Sequence, residues 1–240
     1  MKDKHQEIKK FLKKFPDDFD ILEEGIDMKV QKEYLDYSHS FDHGDLTEEE
    51  TLHLSRLLFD TNVPLDGKKK ALALLAHLGT ILAYRQIEKY YKNPDKKLKQ
   101  WTALALQECK MFLQSTLTEE SIGFISSGLG GLENRLRYYF MVLPLTEKPF
   151  TDKQKDIISD EFKLVCKDLN SVLESIDLSG RFIGLTILMP MDVAVGTVAE
   201  TGIEKCNELG DFVFEYYYAT NQDIPDENEI EEIIKKVKYE

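Results

Sequence analysis

The sequence is poor in cysteine, with only Cys109, Cys166 and Cys206 among its 240 residues. These three are far apart and form no C-x-x-C pair, which argues against the common zinc-binding and redox motifs. An odd number of cysteines without an export signal indicates reduced, mostly buried thiols. The sequence therefore predicts no bound metal and no cofactor.

Long apolar runs are also missing. The longest, from Phe182 to Met189, is too short to cross a bilayer, and Pro190 and Asp192 interrupt its continuation. The first residues, MKDKHQEIKK, lack the apolar core of a signal peptide. These features predict a cytoplasmic protein with no membrane contact.

Positive charge is scarce, and the formal net charge is −13. Residues 1–121 carry 19 Lys and Arg against 22 Asp and Glu, whereas residues 122–240 carry 12 against 22. Affinity for phosphate backbones depends on dense positive charge. We therefore expect that nucleic acid is not a partner, and that any anion-binding surface lies in the first half.

The first half is rich in helical patterns. Thr47 and Glu50 have the spacing of a capping box, in which each side chain satisfies a backbone N–H of the other residue. Apolar residues then recur at helical spacing in three further runs, which are 68–78, 81–91 and a run from Lys96 onward. The segments 66–68 and 94–96 stand at equivalent places, each opening the second helix of a pair.

These paired helices resemble a known repeat family. The stretch LLAHLGTILAYRQIEKYYKNPDKKLKQWTALAL is similar to a HEAT-type repeat, and the resemblance covers residues 47–115. It departs from the common pattern where Leu98-Lys99 stands for the usual Val-Arg. The resemblance implies an α-helical stack with a protein-binding or scaffolding surface. A helical bundle without a binding role is the alternative.

The second half alternates strand and helix patterns. Residues 135–143 and 181–189 are apolar runs typical of buried strands, and 212–219 is a third. Thr151 and Gln154 repeat the capping-box spacing and open a helix that the apolar periodicity extends to Ile176. The predicted order is β-α-β-α-β-α, which favours a sheet with helices packed on it.

The Gly-rich stretch SSGLGGLENR, residues 126–135, invites comparison with phosphate-binding loops. Glu133 stands where a dinucleotide fingerprint needs its third glycine, and a P-loop would need a Gly-Lys-Ser/Thr ending that is missing. Both motifs also need a helix after the loop, but a strand pattern follows. Because 122–126 is also strand-like, we predict a β-hairpin that turns at the glycines.

The segment SHSFDHGD contains His39, Asp42, His43 and Asp45. Two histidines four residues apart could bind a transition metal together with a carboxylate if the segment were helical. Its Ser, Asp and Gly content favours a solvated loop instead. Metal binding by residues 39–45 is left open.

Two lysine clusters, within residues 68–70 and 96–99, lie at the N-termini of the two helices that stand at equivalent places in the predicted repeats. Positive charge at a helix N-terminus opposes the macrodipole, so the placement is not what helix stability alone would favour. Solvated lysines are the ordinary explanation. If the repeats stack, however, the two clusters form one basic ridge able to bind an acidic segment of a protein partner, through Lys68, Lys70, Lys97 and Lys99.

Together these patterns predict an α+β protein with HEAT-like helical repeats over 1–120 and an α/β domain, opened by the β-hairpin, over 121–240. The predicted function is a non-enzymatic, intracellular protein-interaction or adaptor module. The alternative is an enzyme or a small-ligand-binding protein that uses the C-terminal α/β domain. No familiar catalytic motif is present, and residues brought together only by folding leave the question of enzymatic activity open.

Overall fold

The computed structural model describes residues 18–38, 46–178 and 181–239. The chain forms two compact units, residues 1–126 and 127–240. Among the described residues, no helix combines the length and the apolar character needed to cross a membrane.

The first unit consists mainly of helices. Its elements are β1 (Asp18–Ile21), α1 (Met28–Ser38), α2 (Glu48–Phe59), α3 (Leu65–Leu78), α4 (Ile81–Tyr91), a short 3-10 helix (Lys96–Leu98), α5 (Lys99–Thr118) and β2 (Ile122–Ile125). The capping box of Thr47 and Glu50 begins α2, as predicted. Gly79 ends α3 with a φ of 53°, a left-handed conformation that glycine adopts without strain.

The predicted open stack of two repeats is not confirmed. Helix α2 does pack beside α4, and α3 beside α5, but α1 packs on both α3 and α5. These are the second helices of the two predicted pairs. Tyr34 of α1 lies edge-to-face on Trp101 of α5, with ring centroids 5.0 Å apart. The side of α3 and α5 that meets α1 is therefore part of one buried core.

The second unit is an antiparallel sheet with helices. Its elements are β3 (Gly131–Leu132), β4 (Arg135–Pro144), α6 (Asp152–Asp168), β5 (Val172–Asp177), β6 (Ile183–Pro190), α7 (Val195–Glu208), β7 (Val213–Thr220) and α8 (Glu227–Tyr239). The strands lie in the order β5-β6-β4-β7, and β3 pairs with the first residues of β4. Mixed α/β content is therefore confirmed, with the connectivity β-α-β-β-α-β followed by α8.

Strand β5 replaces the last part of the long helix predicted to reach Ile176. The helix ends at Asp168 with Leu169 as its C-cap, and Asn170 then takes a φ of 51°. The pairing of β5 with β6 shifts register between Leu173 and Ser175, so Leu173 and Ile176 both pack on the core despite being three residues apart. The predicted helix placed Val172 and Ile176 on one apolar face, but Val172 is 45% exposed and only Ile176 of the two packs on the core.

The predicted hairpin joins the wrong strands. Residues 122–125 pair in parallel with β1 and not with β4. The actual hairpin is β3–β4, and its turn is formed by Glu133 and Asn134, with φ values of 50° and 59°. Positive φ at both central residues is the type I′ geometry that fits the twist of a hairpin.

Helices α6 and α7 cover one face of the sheet. They bury an apolar core in which Phe140, Ile187 and Val198 are fully enclosed. The two helices approach closely at Gly202, where an added Cβ would lie 2.5 Å from the ring of Phe162. This face is therefore closed, and only the opposite face of the sheet is left for other contacts.

Candidate functional site

The opposite face of the sheet is rich in aromatic side chains. Tyr139, Met141 and Leu143 of β4 form a buried cluster on it. Phe182, Phe214 and Tyr218 pack against this cluster, as do the apolar side chains of α8, which are Ile230, Ile233, Ile234 and Val237. The aromatic rings therefore lie between the sheet and the C-terminal helix.

Strand β7 carries three consecutive tyrosines that point to alternate faces. Tyr217 packs into the core under α6 and α7, and its hydroxyl lies 3.4 Å from a carboxylate oxygen of Glu200. Tyr216 and Tyr218 point to the face that carries α8. Tyr216 is 60% exposed, and its ring centroid is 5.6 Å from that of Phe214.

Cavities flank α8 where it lies on this face. One of about 310 Å³ is lined by Tyr218, Pro225 and Ile233 together with charged side chains. A second of about 600 Å³ is lined by Phe182, Ile230 and Ile234, again with charged side chains. A third of about 280 Å³ lies beside Leu143 and Lys238. Clefts that are partly open to solvent therefore run along the edges of the helix on this face.

The walls of these cavities carry both signs of charge. Carboxylates predominate, contributed by Asp177, Asp223, Glu227, Glu229, Glu231 and Glu232. Arg181 forms an exposed ion pair with Glu231, and Lys238 Nζ donates to the carbonyl oxygen of Thr146 at 3.3 Å. Burial raises the pKa of Tyr139 to about 12, with smaller contributions from Asp177 and Tyr218, so its hydroxyl is neutral at physiological pH. The site offers flat rings bordered by polar groups.

The predicted lysine ridge is largely engaged in internal ion pairs. Lys68 is only 4% exposed, and its Nζ lies 2.7 Å from Oδ2 of Asp95, which also accepts a hydrogen bond from Tyr90. Hydrogen bonds from Lys68 and Tyr90 lower the pKa of Asp95. Lys99 Nζ lies 2.8 Å from Oε1 of Glu24.

The other two predicted site residues, Lys70 and Lys97, are exposed. The Lys68–Asp95 pair links the start of α3 to the turn before α5 through a half-buried contact, in which the Asp95 side chain is 42% exposed. Partner binding through the four lysines stays a prediction.

The histidine-rich segment, residues 39–45, lies outside the described residues. Within the part of the chain that the structure describes, no group of three or more His, Cys, Asp or Glu side chains is arranged to hold a metal ion.

One buried polar cluster was not predicted. Glu108 of α5 is only 7% exposed, and its Oε2 accepts a hydrogen bond from the Tyr34 hydroxyl at 2.5 Å. His77 Nδ1 lies 3.5 Å from the same oxygen. Burial raises the pKa of Glu108 to about 7, although the Tyr34 hydrogen bond acts in the opposite direction. The sequence contained one indication of this cluster, since Glu108 lies on the same apolar stripe of the helix as Trp101.

We expect Glu108→Gln to flatten the pH dependence of stability in the first unit. The folded pKa of Glu108 is raised, so its favourable contribution is present below the unfolded pKa and is lost as pH rises towards 7. Between about pH 5 and pH 8 the native protein should lose about 2 kcal/mol that the Gln variant keeps. Urea unfolding followed by fluorescence of Trp101, the single tryptophan, measures this unit directly.

Tyr34, His77 and Cys109 also face or adjoin this carboxyl. A His77→Gln variant serves as the control that separates titration of the imidazole from that of Glu108. Parallel pH profiles for the native protein and Glu108→Gln would show that the carboxyl does not govern stability.

Comparison with solved structures returned matches that include two transposases. No family model matches the chain, and no curated protein matches it. A putative transposase from Deinococcus radiodurans R1 is 10% identical, with a TM-score of 0.34, covering 43% of this chain and 88% of its own. A REP-associated tyrosine transposase bound to a REP hairpin is 7% identical, with a TM-score of 0.33. This chain spans 65% of that protein's length.

These findings correct three predictions. The neighbours returned are transposases and not helical-repeat proteins, so the HEAT-like identification is not supported. The non-enzymatic adaptor was inferred from that resemblance and is withdrawn with it. The exclusion of nucleic acid is also withdrawn, since one neighbour is a transposase bound to a REP hairpin. That exclusion assumed that affinity must come from phosphate contacts, whereas stacking on aromatic side chains does not depend on net charge.

Proposed function

We propose that the C-terminal unit binds ligands through a nucleobase, which stacks on the aromatic side chains of the sheet face beside α8. The proposal rests on one observation. Aromatic side chains that lie on the same face of the sheet line cavities beside α8. Tyr218 lines the 310 Å³ cavity, and Phe182 lines the 600 Å³ cavity. Tyr216 presents a third ring that is 60% exposed.

Stacking supplies enough free energy for such a site. Each base stacked on an aromatic ring contributes about 1–3 kcal/mol, as measured by replacing the ring with alanine. Every base has a π face, so the contact tolerates any sequence. An antiparallel four-stranded sheet with aromatic residues on one face is also a known way to hold unpaired bases.

The charges around the cavities favour binding through the base of a nucleotide over binding through its phosphate. Asp223, Glu229 and Glu232 border one cavity, and Asp177 and Glu227 border another. These carboxylates repel phosphates, so a closely packed phosphate backbone is disfavoured along the walls. The base must therefore provide most of the affinity. Both a free nucleotide and an unpaired single strand present this chemistry.

We expect a labelled single-stranded oligonucleotide to bind with a weak salt dependence. Between about 50 and 200 mM salt the affinity should fall less than about tenfold, because a protein with many phosphate contacts would lose about a thousandfold or more. Fluorescence anisotropy measures the oligonucleotide directly, and competition with mononucleotides shows whether a single base is sufficient.

The matched control is a duplex of the same sequence, whose bases are already stacked and paired. Equal affinity for the duplex, or a steep salt dependence, would mean that phosphates and not bases are recognised. Absence of binding to both oligonucleotides and mononucleotides would disprove the proposed function.

A further inference from the structure

We infer that α8 is a displaceable cover of this face: the cavities beside it give a base access to the rings, and full stacking on those rings requires the helix to move aside. The inference rests on the proposed function and adds a means of regulating it. In the structure, the apolar side of α8 packs where a stacked base would lie, and Tyr139 beneath it is only 5% exposed.

The contacts between α8 and the sheet are those of a loosely held element. Cavities lie along the helix, and Ile234 borders two of them. Among the described residues, its polar attachments include an ion pair between Arg181 and Glu231, both side chains being about half exposed or more, and the hydrogen bond from Lys238 to Thr146. Lys238 Nζ also lies 6.0 Å from the ring centroid of Phe214. Exposed ion pairs contribute little to stability.

The larger core of the unit does not include α8, although the cluster of Tyr139, Met141 and Leu143 does pack against it. The core between the sheet and helices α6 and α7 consists of other residues, and α8 contributes none of its side chains to it. The helix can therefore leave the sheet without opening that core. Once detached, a helix of this length is marginal in water, so it would also lose its helical structure.

A competing cover lowers the apparent affinity of the face. Only the uncovered fraction of molecules can bind, so the measured dissociation constant is the intrinsic value divided by that fraction. Anything that weakens the helix, without touching the rings or the cavity walls, should then strengthen binding.

Lys235 provides a substitution with that property. It lies within α8, its side chain is exposed, and it does not line the cavities described above. We expect Lys235→Gly to bind a labelled single-stranded oligonucleotide about fivefold more tightly than Lys235→Ala, because the two differ mainly in helix propensity. Both variants are made in the full chain, and a shared thermal unfolding profile confirms that the core is intact.

The outcomes separate this inference from the proposed function. If Lys235→Gly binds as well as or more weakly than Lys235→Ala, the face binds bases but α8 is a neutral element or a wall of the site, and the cover is disproved. If the native protein and both variants fail to bind, the proposed function is wrong and the cover is wrong with it. Hydrogen exchange gives an independent readout: saturating oligonucleotide should accelerate exchange of the α8 amides, and slower exchange would overturn the inference.

Discussion

Replacement of Gly128 by alanine is expected to destabilise the C-terminal unit by about 4 kcal/mol, at the upper end of single-residue effects. An added Cβ would lie 1.6 Å from the carbonyl oxygen of Gln222, a distance that no side-chain rotation can relieve. The loop cannot easily retreat, because Leu129 N donates to Asn221 O at 3.0 Å and Arg137 N donates to Gly130 O at 3.0 Å. At least one of these bonds must break.

The matched control is Gly196→Ala in α7. The atom nearest to its added Cβ is Oε1 of Glu200, the mobile end of a flexible side chain, and alanine is the better helix former. We therefore expect Gly196→Ala to change stability by less than about 1 kcal/mol. Urea unfolding followed by far-UV circular dichroism compares the two variants, and equal stability of both would refute the close-approach argument.

The role of the Gly-rich loop shows where sequence analysis was sound and where it was not. A strand follows the glycines, as predicted, so the loop lacks the helix that phosphate-binding motifs require. The glycines were then assigned to a hairpin turn, yet the turn is formed by Glu133 and Asn134. Gly128 is needed for close approach to a segment nearly a hundred residues away. Such a contact depends on tertiary structure, so no local pattern could reveal it.

Elements with strong apolar patterns were predicted well. Strands β4, β6 and β7 were recognised because continuous apolar runs end at Pro144 and Pro190 or follow Gly210. Helix α1 was missed because the side chains that it buries are Gln31, Tyr34 and Ser38, which form no apolar stripe. The sequence therefore did not reveal the helix that packs on α3 and α5.

The candidate site could be predicted only in part. The tyrosines of β7 and the amphipathic final helix were both visible, since Ile230, Ile233, Ile234 and Val237 have helical spacing. What could not be foreseen was that α8 lies on the face to which Tyr216 and Tyr218 point. That depends on the order of the strands, which places β7 beside β4. The negative net charge then argued against nucleic acid as a partner, because net charge bears on contacts with phosphates and not on the stacking of bases.

The neighbouring tyrosines of β7 provide the sharpest test of base stacking. Tyr218→Leu removes an aromatic ring from the face beside α8 but retains an apolar side chain, so packing against Ile233 can persist. Loss of one stacking partner is expected to raise the dissociation constant for a single-stranded oligonucleotide about 10- to 100-fold. Tyr217→Leu makes the same chemical change one residue earlier, on the opposite face of the sheet.

Tyr217→Leu is expected to reduce stability, because this ring packs against the core under α6 and α7, but to leave affinity within about twofold once the folded fraction is taken into account. Thermal unfolding of both variants separates the two effects. A large loss of affinity in Tyr218→Leu alone locates the bases on the face beside α8. Equal losses in both variants would show that binding depends on the integrity of the whole sheet, and a loss only in Tyr217→Leu would place the ligand on the wrong side for the proposed function.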